Sequence, residues 1–319
     1  MGAVSEIDPE IVSARIRQAG DSQPVDITRL PAAVGRRVAN AAAMFFDDGL
    51  PLMRQVTDHY VDSRTGSIRL RLFEPHKRSG PAAIFYIHGG GWFHCNVETH
   101  GRTMRFIAEI SGLPVFGVDF RLAPEHPFPE PLEDCLTAWQ WLSSHAESFG
   151  CDRGFLGVAG DSAGANLGLA LCIHQRDTNG VMPAAGAFFY GCYAADFSTD
   201  SYKRFGGGQY GMTTERMRWY WSNFLGRNFD GPPQLAVPLG ANLRSLPPLF
   251  LGIAELDPVA DDSRILAARL REAGVSAALE VWPRAVHGFL QMTRDVGLAR
   301  TALANGARFL SLKCLANLR

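Results

Sequence analysis

The sequence predicts an α/β fold built on a central, mostly parallel sheet. Six short, continuous apolar segments recur along the chain, as expected of strands that are buried on both faces of a parallel sheet. Helix-like stretches separate these segments, which gives the alternation of strand and helix typical of α/β proteins. The apolar segments occupy residues 82–88, 113–120, 154–160, 185–191, 248–255 and 277–283.

The elements before the first apolar segment follow a different pattern. Residues 1–50 read as helical segments interrupted by Pro24 and Pro31. Residues 67–74 alternate between apolar and polar side chains, so they predict a half-buried strand. A turn-forming stretch before them predicts pairing with an earlier strand near residues 56–61. We therefore expect a mixed sheet with an antiparallel start and a parallel remainder.

An insertion of more than fifty residues separates the segments that end near Gly191 and begin near Pro248. Within it, residues 213–226 predict a helix with Thr213 as N-cap and Gly226 at its end. Four large side chains share one face of this helix at the spacing i, i+3, i+4 and i+7. Such a stripe either packs against the core or covers a substrate cleft, and both interpretations stand. The four residues are Met217, Tyr220, Trp221 and Phe224.

Composition and charge argue against several classes of partner. The 319 residues carry a formal net charge of −1, which gives no electrostatic reason to expect nucleic acid. No apolar run approaches the roughly 20 residues of a transmembrane helix, and the first ten residues lack the pattern of a signal peptide. The six cysteines are scattered, without CxxC pairs or zinc-site spacing. We therefore expect a cytoplasmic protein with free thiols and no bound metal.

A serine lies at the junction of a predicted strand and a predicted helix. Residues 160–164 fit the pattern G-x-S-x-G, with Ser162 at its centre. A sharp turn between strand and helix exposes the serine hydroxyl, and the flanking residues must be small for the chain to pass. The following helix points its N-terminus at this hydroxyl, where negative charge would develop. Ser162 is therefore the candidate nucleophile.

A glycine-rich loop follows the first apolar segment and is the candidate oxyanion hole. Gly89, Gly90 and Gly91 leave their backbone N–H groups unshielded, so that a substrate oxygen can approach closely. The N–H of Ala163, next to the candidate nucleophile, is a further expected donor. We interpret His88 as a structural residue that holds this loop through hydrogen bonds.

A serine nucleophile also requires a base and an acid that orients the base. In this class of site they follow the serine in the order acid, then histidine. His287, in a loop after the last predicted strand, is a better base than His174, which lies far along the helix that Ser162 opens. Asp257 follows a predicted strand and is the preferred acid, with Glu255 in reserve.

Taken together, the motifs resemble those of the hormone-sensitive-lipase family of α/β-hydrolases, and in particular its bacterial acetyl esterases. The matching segments occur in the family's order and are HGGGW (88–92), DFRLAPEHPFP (119–129), GDSAGAN (160–166), LDPVADD (256–262) and VHGF (286–289). The resemblance implies an α/β-hydrolase fold with helices flanking the sheet and a helical cap over the cleft. It implies that residues 1–50 and an insertion at about 195–235 form the cap, and that residues 51–319 form the catalytic domain.

The same resemblance implies a serine carboxylesterase for short-chain, acetyl-like esters of small molecules, without a cofactor. Gly90 and Gly91 would be the main loop donors, with Gly89 supporting. We expect the substrate pocket to include Trp92, Trp221 and Phe289. Three charged residues of the second segment would form a buried ion-pair brace beneath the oxyanion loop; they are Asp119, Arg121 and Glu125.

Two alternatives remain open at this point. The same residues would serve an amidase, a lactonase or a carbamate hydrolase. A non-catalytic small-molecule receptor is the second alternative, because plant gibberellin receptors resemble this family but lack the catalytic histidine. His287 is present here, which disfavours the receptor. A homodimer through an edge strand or the cap is compatible with the sequence.

Overall fold

A computed structural model of the protein describes residues 6–20, 25–64, 66–226 and 230–318. Eight strands in this part of the chain form a single sheet. They are β1 (Gln55–Ser63), β2 (Gly66–Glu74), β3 (Ala83–Ile87), β4 (Val115–Asp119), β5 (Leu156–Asp161), β6 (Gly186–Phe189), β7 (Leu249–Leu256) and β8 (Ala277–Val286). Their order across the sheet is β1-β2-β4-β3-β5-β6-β7-β8.

The sheet is mixed, as the sequence predicts. Strand β2 pairs antiparallel with both β1 and β4, whereas every pair from β4 to β8 is parallel. Strand β1 contains the predicted strand near residues 56–61. Because β3 to β8 run in the same direction, the loops at their carboxyl ends meet along one edge of the sheet.

Helices cover both faces of the sheet. On one face lie α4, α5 and α8, and on the other lie α3 and α9. The side chains of β3 alternate between these two layers, so this strand is buried on both sides. The nine α-helices in the described residues are α1 (Pro9–Ala19), α2 (Ala32–Ala43), α3 (Gly101–Ser111), α4 (Glu130–His145), α5 (Ala163–Asp177), α6 (Asp200–Phe205), α7 (Thr214–Leu225), α8 (Ala260–Glu272) and α9 (Gly297–Cys314).

The last apolar segment, residues 277–283, was expected to be buried on both faces, and this expectation is wrong. It lies in β8, the edge strand that pairs with β7 alone. Leu279 and Val281 are 40% and 43% exposed. Because an edge strand has only one neighbour and can be covered incompletely, an apolar run in the sequence does not guarantee burial there.

Helices α1, α2 and α7 lie outside the two layers and contribute walls to a cavity at the carboxyl ends of the parallel strands. Helix α7 has the predicted N-cap, since the Thr213 hydroxyl accepts the backbone N–H of Arg216 at 3.0 Å. The division into a cap and a catalytic domain remains a prediction. Pro24 and parts of the predicted cap segments lie outside the described residues, namely 1–5, 21–24 and 227–229.

Two further properties of the described residues bear on the sequence analysis. All six cysteines are buried and none is in a disulfide. No helix in this part of the chain has both the length and the hydrophobicity that crossing a membrane requires.

Candidate active site

Ser162 lies in the sharp turn between β5 and α5. Its φ of 52° and ψ of −119° are strained for a residue with a side chain. A backbone hydrogen bond of 2.9 Å from the Ser162 N–H to the carbonyl of Phe189 holds this conformation. At Gly164, a Cβ atom would lie 2.0 Å from the carbonyl oxygen of Ile87, so the close crossing requires glycine. The turn therefore presents the hydroxyl at the carboxyl edge of the sheet.

The structure brings Ser162, His287 and Asp257 into one hydrogen-bonded line. Ser162 Oγ lies 2.9 Å from His287 Nε2, and His287 Nδ1 lies 2.7 Å from Asp257 Oδ2. The other carboxylate oxygen of Asp257 accepts the N–H of Val259 at 3.0 Å, which fixes its orientation. Asp257 and His287 follow the neighbouring strands β7 and β8, and this adjacency explains how residues far apart in sequence meet.

Electrostatics favour proton acceptance by His287. Burial alone would lower the pKa of His287, but the charge of Asp257 and its hydrogen bond outweigh burial and raise this pKa. With the Nδ1 proton held by the fully buried carboxylate of Asp257, the neutral ring has a lone pair on Nε2 directed at the Ser162 hydroxyl. The line can therefore remove a proton from Ser162 and hold it on the imidazole.

The reserve candidates do not join this line. Glu255 accepts the backbone N–H of Arg284 at 2.8 Å, so its carboxylate holds the neighbouring strand β8. His174 lies in the last turn of α5 and lines a separate hollow beside Trp139. The structure therefore brings His287 to Ser162 and Asp257 to His287, whereas His174 and Glu255 take no part in this arrangement.

Three of the four predicted oxyanion donors have free N–H groups. The backbone N–H groups of Gly90, Gly91 and Ala163 make no hydrogen bond within the described chain, and both glycines line the cavity beside Ser162. Gly91 has a φ of +61°, and a Cβ atom there would lie 2.3 Å from Cδ1 of Tyr220. The loop therefore requires glycine at this position to fit beneath α7.

Gly89 differs from the expectation, because its N–H group is already used. It donates a 3.0 Å hydrogen bond to the side chain of Asp161, so it holds the loop and is not a free oxyanion donor. His88 has the predicted structural role, since its Nδ1 lies 2.7 Å from the carbonyl oxygen of Gly89 and its ring stacks on Phe120. Burial lowers the pKa of His88 to about 3, which keeps the ring neutral.

A buried acidic network beneath the loop was not found from the sequence. Asp161 lies 3.3 Å from His100 Nε2 and accepts hydrogen bonds from the hydroxyls of Tyr86 at 2.7 Å and Tyr190 at 3.3 Å. Burial raises the pKa of Asp161, but the charge of His100 and the hydrogen bonds outweigh it and lower the pKa overall. The available signal was a carboxylate, the second residue of the GDSAG motif, at the end of an otherwise apolar strand.

The expected ion-pair brace of Asp119, Arg121 and Glu125 is wrong as a single cluster. Each residue pairs with a different element, because the segment turns its side chains in different directions. The partners are Arg69 at 2.7 Å for Asp119, Asp134 at 2.8 Å for Arg121, and Arg36 of α2 at 2.6 Å for the half-exposed Glu125. Only the Glu125 pair reaches the oxyanion loop, since Arg36 Nε also donates to the carbonyl of Phe93 at 2.8 Å.

A cavity of about 570 Å³ opens directly on Ser162 and His287. Of the predicted pocket residues, Trp92 lines it, whereas Trp221 and Phe289 do not. Trp221 packs behind Trp92 with ring centroids 4.6 Å apart, and Phe289 packs behind Tyr190 at 5.9 Å.

The aromatic stripe of α7 therefore serves both purposes that the sequence left open. Met217 and Tyr220 line the cavity, while Trp221 and Phe224 pack against Trp92 in the core. Residues of α1 and α2 supply much of the remaining wall. Among the described residues, no three His, Cys, Asp or Glu side chains converge as metal ligands would.

Comparisons with known proteins agree with this geometry. A family model described as the alpha/beta hydrolase fold matches residues 84–291, more than half of the chain. The solved structure of an esterase from Pyrobaculum calidifontis is 29% identical, with a TM-score of 0.88, and the match covers 96% of this chain and 98% of that one. The ester-hydrolase EH1AB1 from the Lake Arreo metagenome is 31% identical, with a TM-score of 0.89 and coverages of 96% and 98%.

A third similar structure is EstE1, a thermophilic carboxylesterase cloned from a metagenomic library. It is 30% identical, with a TM-score of 0.86, and the match covers 90% of this chain and 98% of that one. The resemblance indicated by the sequence motifs is thereby confirmed. The chain belongs to the α/β-hydrolase fold family, within its hormone-sensitive-lipase-like group of carboxylic ester hydrolases.

Proposed function

We propose that the protein is a serine carboxylesterase that hydrolyses short-chain, acetyl-like acyl esters. Ser162 is the nucleophile, His287 the general base and acid, and Asp257 the residue that orients His287. The observation that carries this proposal is the hydrogen-bonded line of these three residues at the floor of a cavity. The description of the similar structures as esterases supports the ester as the bond that is cleaved.

Acylation begins when Ser162 Oγ attacks the ester carbonyl carbon and its proton moves to His287 Nε2. The carbonyl oxygen becomes an oxyanion and accepts hydrogen bonds from the free N–H groups of Gly90, Gly91 and Ala163. Asp257 stabilises the imidazolium without accepting its proton. The proton on Nε2 then passes to the departing alkoxide as the carbon–oxygen bond breaks, which leaves an acyl group on Ser162.

Deacylation repeats these steps with water. His287 Nε2 takes a proton from a water molecule whose oxygen attacks the acyl carbon, and the second oxyanion forms in the same loop. When it collapses, Ser162 Oγ leaves with the proton held by His287, and the carboxylic acid is released. No step requires a metal or a redox cofactor. Every proton transfer uses His287, the oxyanion meets the N–H groups of the loop, and the imidazolium meets the carboxylate of Asp257.

The size of the cavity supports the proposed preference for short acyl chains. Its volume of about 570 Å³ lies within the range of about 300–1,000 Å³ for small-molecule sites, and it must accept both the acyl chain and the alcohol. Helices α1, α2 and α7 restrict it from above, which supports the proposal that residues 1–50 and about 195–235 form a cap on a catalytic domain of residues 51–319.

The first test compares p-nitrophenyl esters from acetate to laurate. We expect kcat/KM to be highest for the short chains and to fall as the chain outgrows the cavity. The p-nitroanilide of the best acyl group serves as the control for the amidase alternative, and it should be cleaved far more slowly. Laurate hydrolysed as well as acetate would contradict the short-chain proposal, and a preferred anilide would contradict ester specificity.

The pH dependence of the reaction is the second test. His287 must be neutral to accept a proton, so activity is lost as the pH falls through its pKa. Burial lowers this pKa, but Asp257 raises it above the usual 6.5. We therefore expect kcat/KM for a neutral ester to reach half of its plateau at a pH above 6.5. A pH profile with its acidic midpoint below 6.5 would contradict this assignment.

A further inference from the structure

Two arginines line the cavity without an acidic partner. Arg15 lies on α1 and Arg216 on α7, and neither has a carboxylate oxygen within 4.0 Å in the described chain. The exposed Asp26 lies near Arg216 but beyond ion-pair distance. Four other partly buried arginines are paired, namely Arg36 with Glu125, Arg69 with Asp119, Arg78 with Glu74 and Arg121 with Asp134. Arg102 and Arg105 also lack an acidic partner among the described residues, but they lie outside the cavity and donate to the backbone carbonyls of Phe46, Gly49 and Pro51.

The hydrogen-bonding capacity of both side chains is largely unused. Arg15 Nη1 donates to the carbonyl of Tyr210 at 3.0 Å, and this is one of five N–H donors of its guanidinium. The Arg216 side chain donates no hydrogen bond within the described residues. Burial lowers the pKa of Arg15, which reflects the cost of desolvating a cation that no anion compensates. A ligand anion would offset that cost.

These arginines lie in the same cavity as the proposed catalytic residues. Burial is the largest influence lowering the pKa of His287, and the positive charge of Arg15 also lowers it, so Arg15 is within electrostatic range of the reacting atoms. Asp161 is the only carboxylate among the described residues lining this cavity, and it is already bound by His100, Tyr86 and the loop. Much of the wall formed by α1, α2 and α7 is apolar.

We propose that the preferred substrates are esters that carry a carboxylate, which Arg15 and Arg216 bind while the ester carbonyl lies at Ser162. A guanidinium matches a carboxylate with two parallel hydrogen bonds, which an uncharged ester group cannot accept with equal strength. This inference rests on the proposed ester hydrolysis and specifies its substrate class. The carboxylate belongs either to the acyl part or to the alcohol part, and the experiment below separates the two.

A purely structural role is the alternative for Arg15. Its hydrogen bond to Tyr210 ties α1 to the loop that precedes α7, and loss of this tie would loosen the cavity wall for every substrate alike. Carboxylate recognition instead predicts a change confined to charged esters. The discriminating quantity is therefore the ratio of kcat/KM between a charged ester and its neutral counterpart, which does not depend on the fraction of folded enzyme.

Two substrate pairs provide this ratio. Ethyl monosuccinate and ethyl succinamate differ only in a carboxylate or an amide on the acyl part, and acetoxyacetate and acetoxyacetamide differ likewise on the alcohol part. We expect the wild-type enzyme to prefer the charged member of at least one pair by about tenfold or more. Arg216→Met and Arg15→Met should each lower that ratio toward one, by about tenfold, the effect of losing a hydrogen bond to a charged group.

Matched controls come from the same two helices. Arg17 on α1 and Arg218 on α7 do not line the cavity, so Arg17→Met and Arg218→Met should leave the ratio unchanged. Arg15→Lys keeps the charge and should retain part of the preference. Equal wild-type rates within both pairs would overturn carboxylate recognition while leaving ester hydrolysis established. If the ratio is unchanged in both Arg15→Met and Arg216→Met, carboxylate recognition by these arginines is likewise overturned.

A binding measurement keeps this inference separate from the proposed function. If no ester is hydrolysed, the proposed function fails, and calorimetry with Ser162→Ala decides the inference alone. Tighter binding of ethyl monosuccinate or acetoxyacetate than of its amide, weakened by Arg216→Met, would support carboxylate recognition. Equal binding of both members in each pair would overturn it.

Discussion

Alanine at Ser162 is expected to reduce kcat for a short-chain ester by about 10⁶-fold, and alanine at His287 by a similar factor. Each substitution removes one end of the 2.9 Å hydrogen bond through which the nucleophile loses its proton. Because the two residues act as a unit, the double variant should lose little more than either single variant. The measurement is the kcat of the two single variants and the double variant for p-nitrophenyl acetate, with the enzyme concentration determined by absorbance.

Asparagine at Asp257 should lower kcat by about 10⁴-fold, because the asparagine side chain no longer favours the productive tautomer of His287 or stabilises its charged form. Glu255→Gln is the matched control, since Glu255 precedes Asp257 by two residues but holds Arg284 and not His287. It should keep nearly full activity. A Ser162→Ala enzyme that retained more than about 1% of the wild-type kcat, or a Glu255→Gln loss equal to that of Asp257→Asn, would contradict the proposed triad.

The residues proposed for the triad were accessible from the sequence because each is tied to a strand end. Ser162 lies between an apolar segment and a helix, and Asp257 and His287 each follow an apolar segment. Parallel strands bring such positions to one edge of the sheet, so the pattern of segments predicts their convergence. The same reasoning fails at β8, where Leu279 and Val281 are exposed, since periodicity does not report how many neighbours a strand has.

The cavity walls were less predictable, because they depend on contacts between distant segments. The stripe on α7 identifies four side chains on one face of the helix. It does not predict which of them pack against Trp92 and which line the cavity. Tyr220 reaches the cavity and Trp221 does not, although they are neighbours in the chain. Arg15 and Arg216 line the same cavity only because α1 and α7, far apart in the sequence, both border it. No pattern in the local sequence around either arginine therefore predicts this arrangement.

Asparagine at Asp161 is expected to lower kcat by about 100-fold, although Asp161 does not touch the reacting atoms in the proposed mechanism. Its carboxylate holds the N–H of Gly89 and thereby positions the next two N–H groups of the loop. Loss of a single oxyanion donor typically costs about 10²–10³ in rate. Burial lowers the pKa of His100, but Asp161 and the Cys95 thiol outweigh it and raise this pKa to about 10. The substitution removes the carboxylate from this buried cluster, which should reduce the free energy of unfolding by about 3 kcal/mol.

A second buried carboxylate, that of Asp134, provides the control that distinguishes a loss of stability from a displacement of the oxyanion loop. Asp134 pairs with Arg121 away from the cavity, so Asp134→Asn should destabilise the protein in a similar way. Urea unfolding compares the two variants, and kcat is expressed per site titrated with a phosphonate. If Asp161 positions the oxyanion loop, only Asp161→Asn lowers kcat per titrated site. An equal kcat for both variants would mean that the loop keeps its geometry without this carboxylate, and that Asp161 contributes to folding alone.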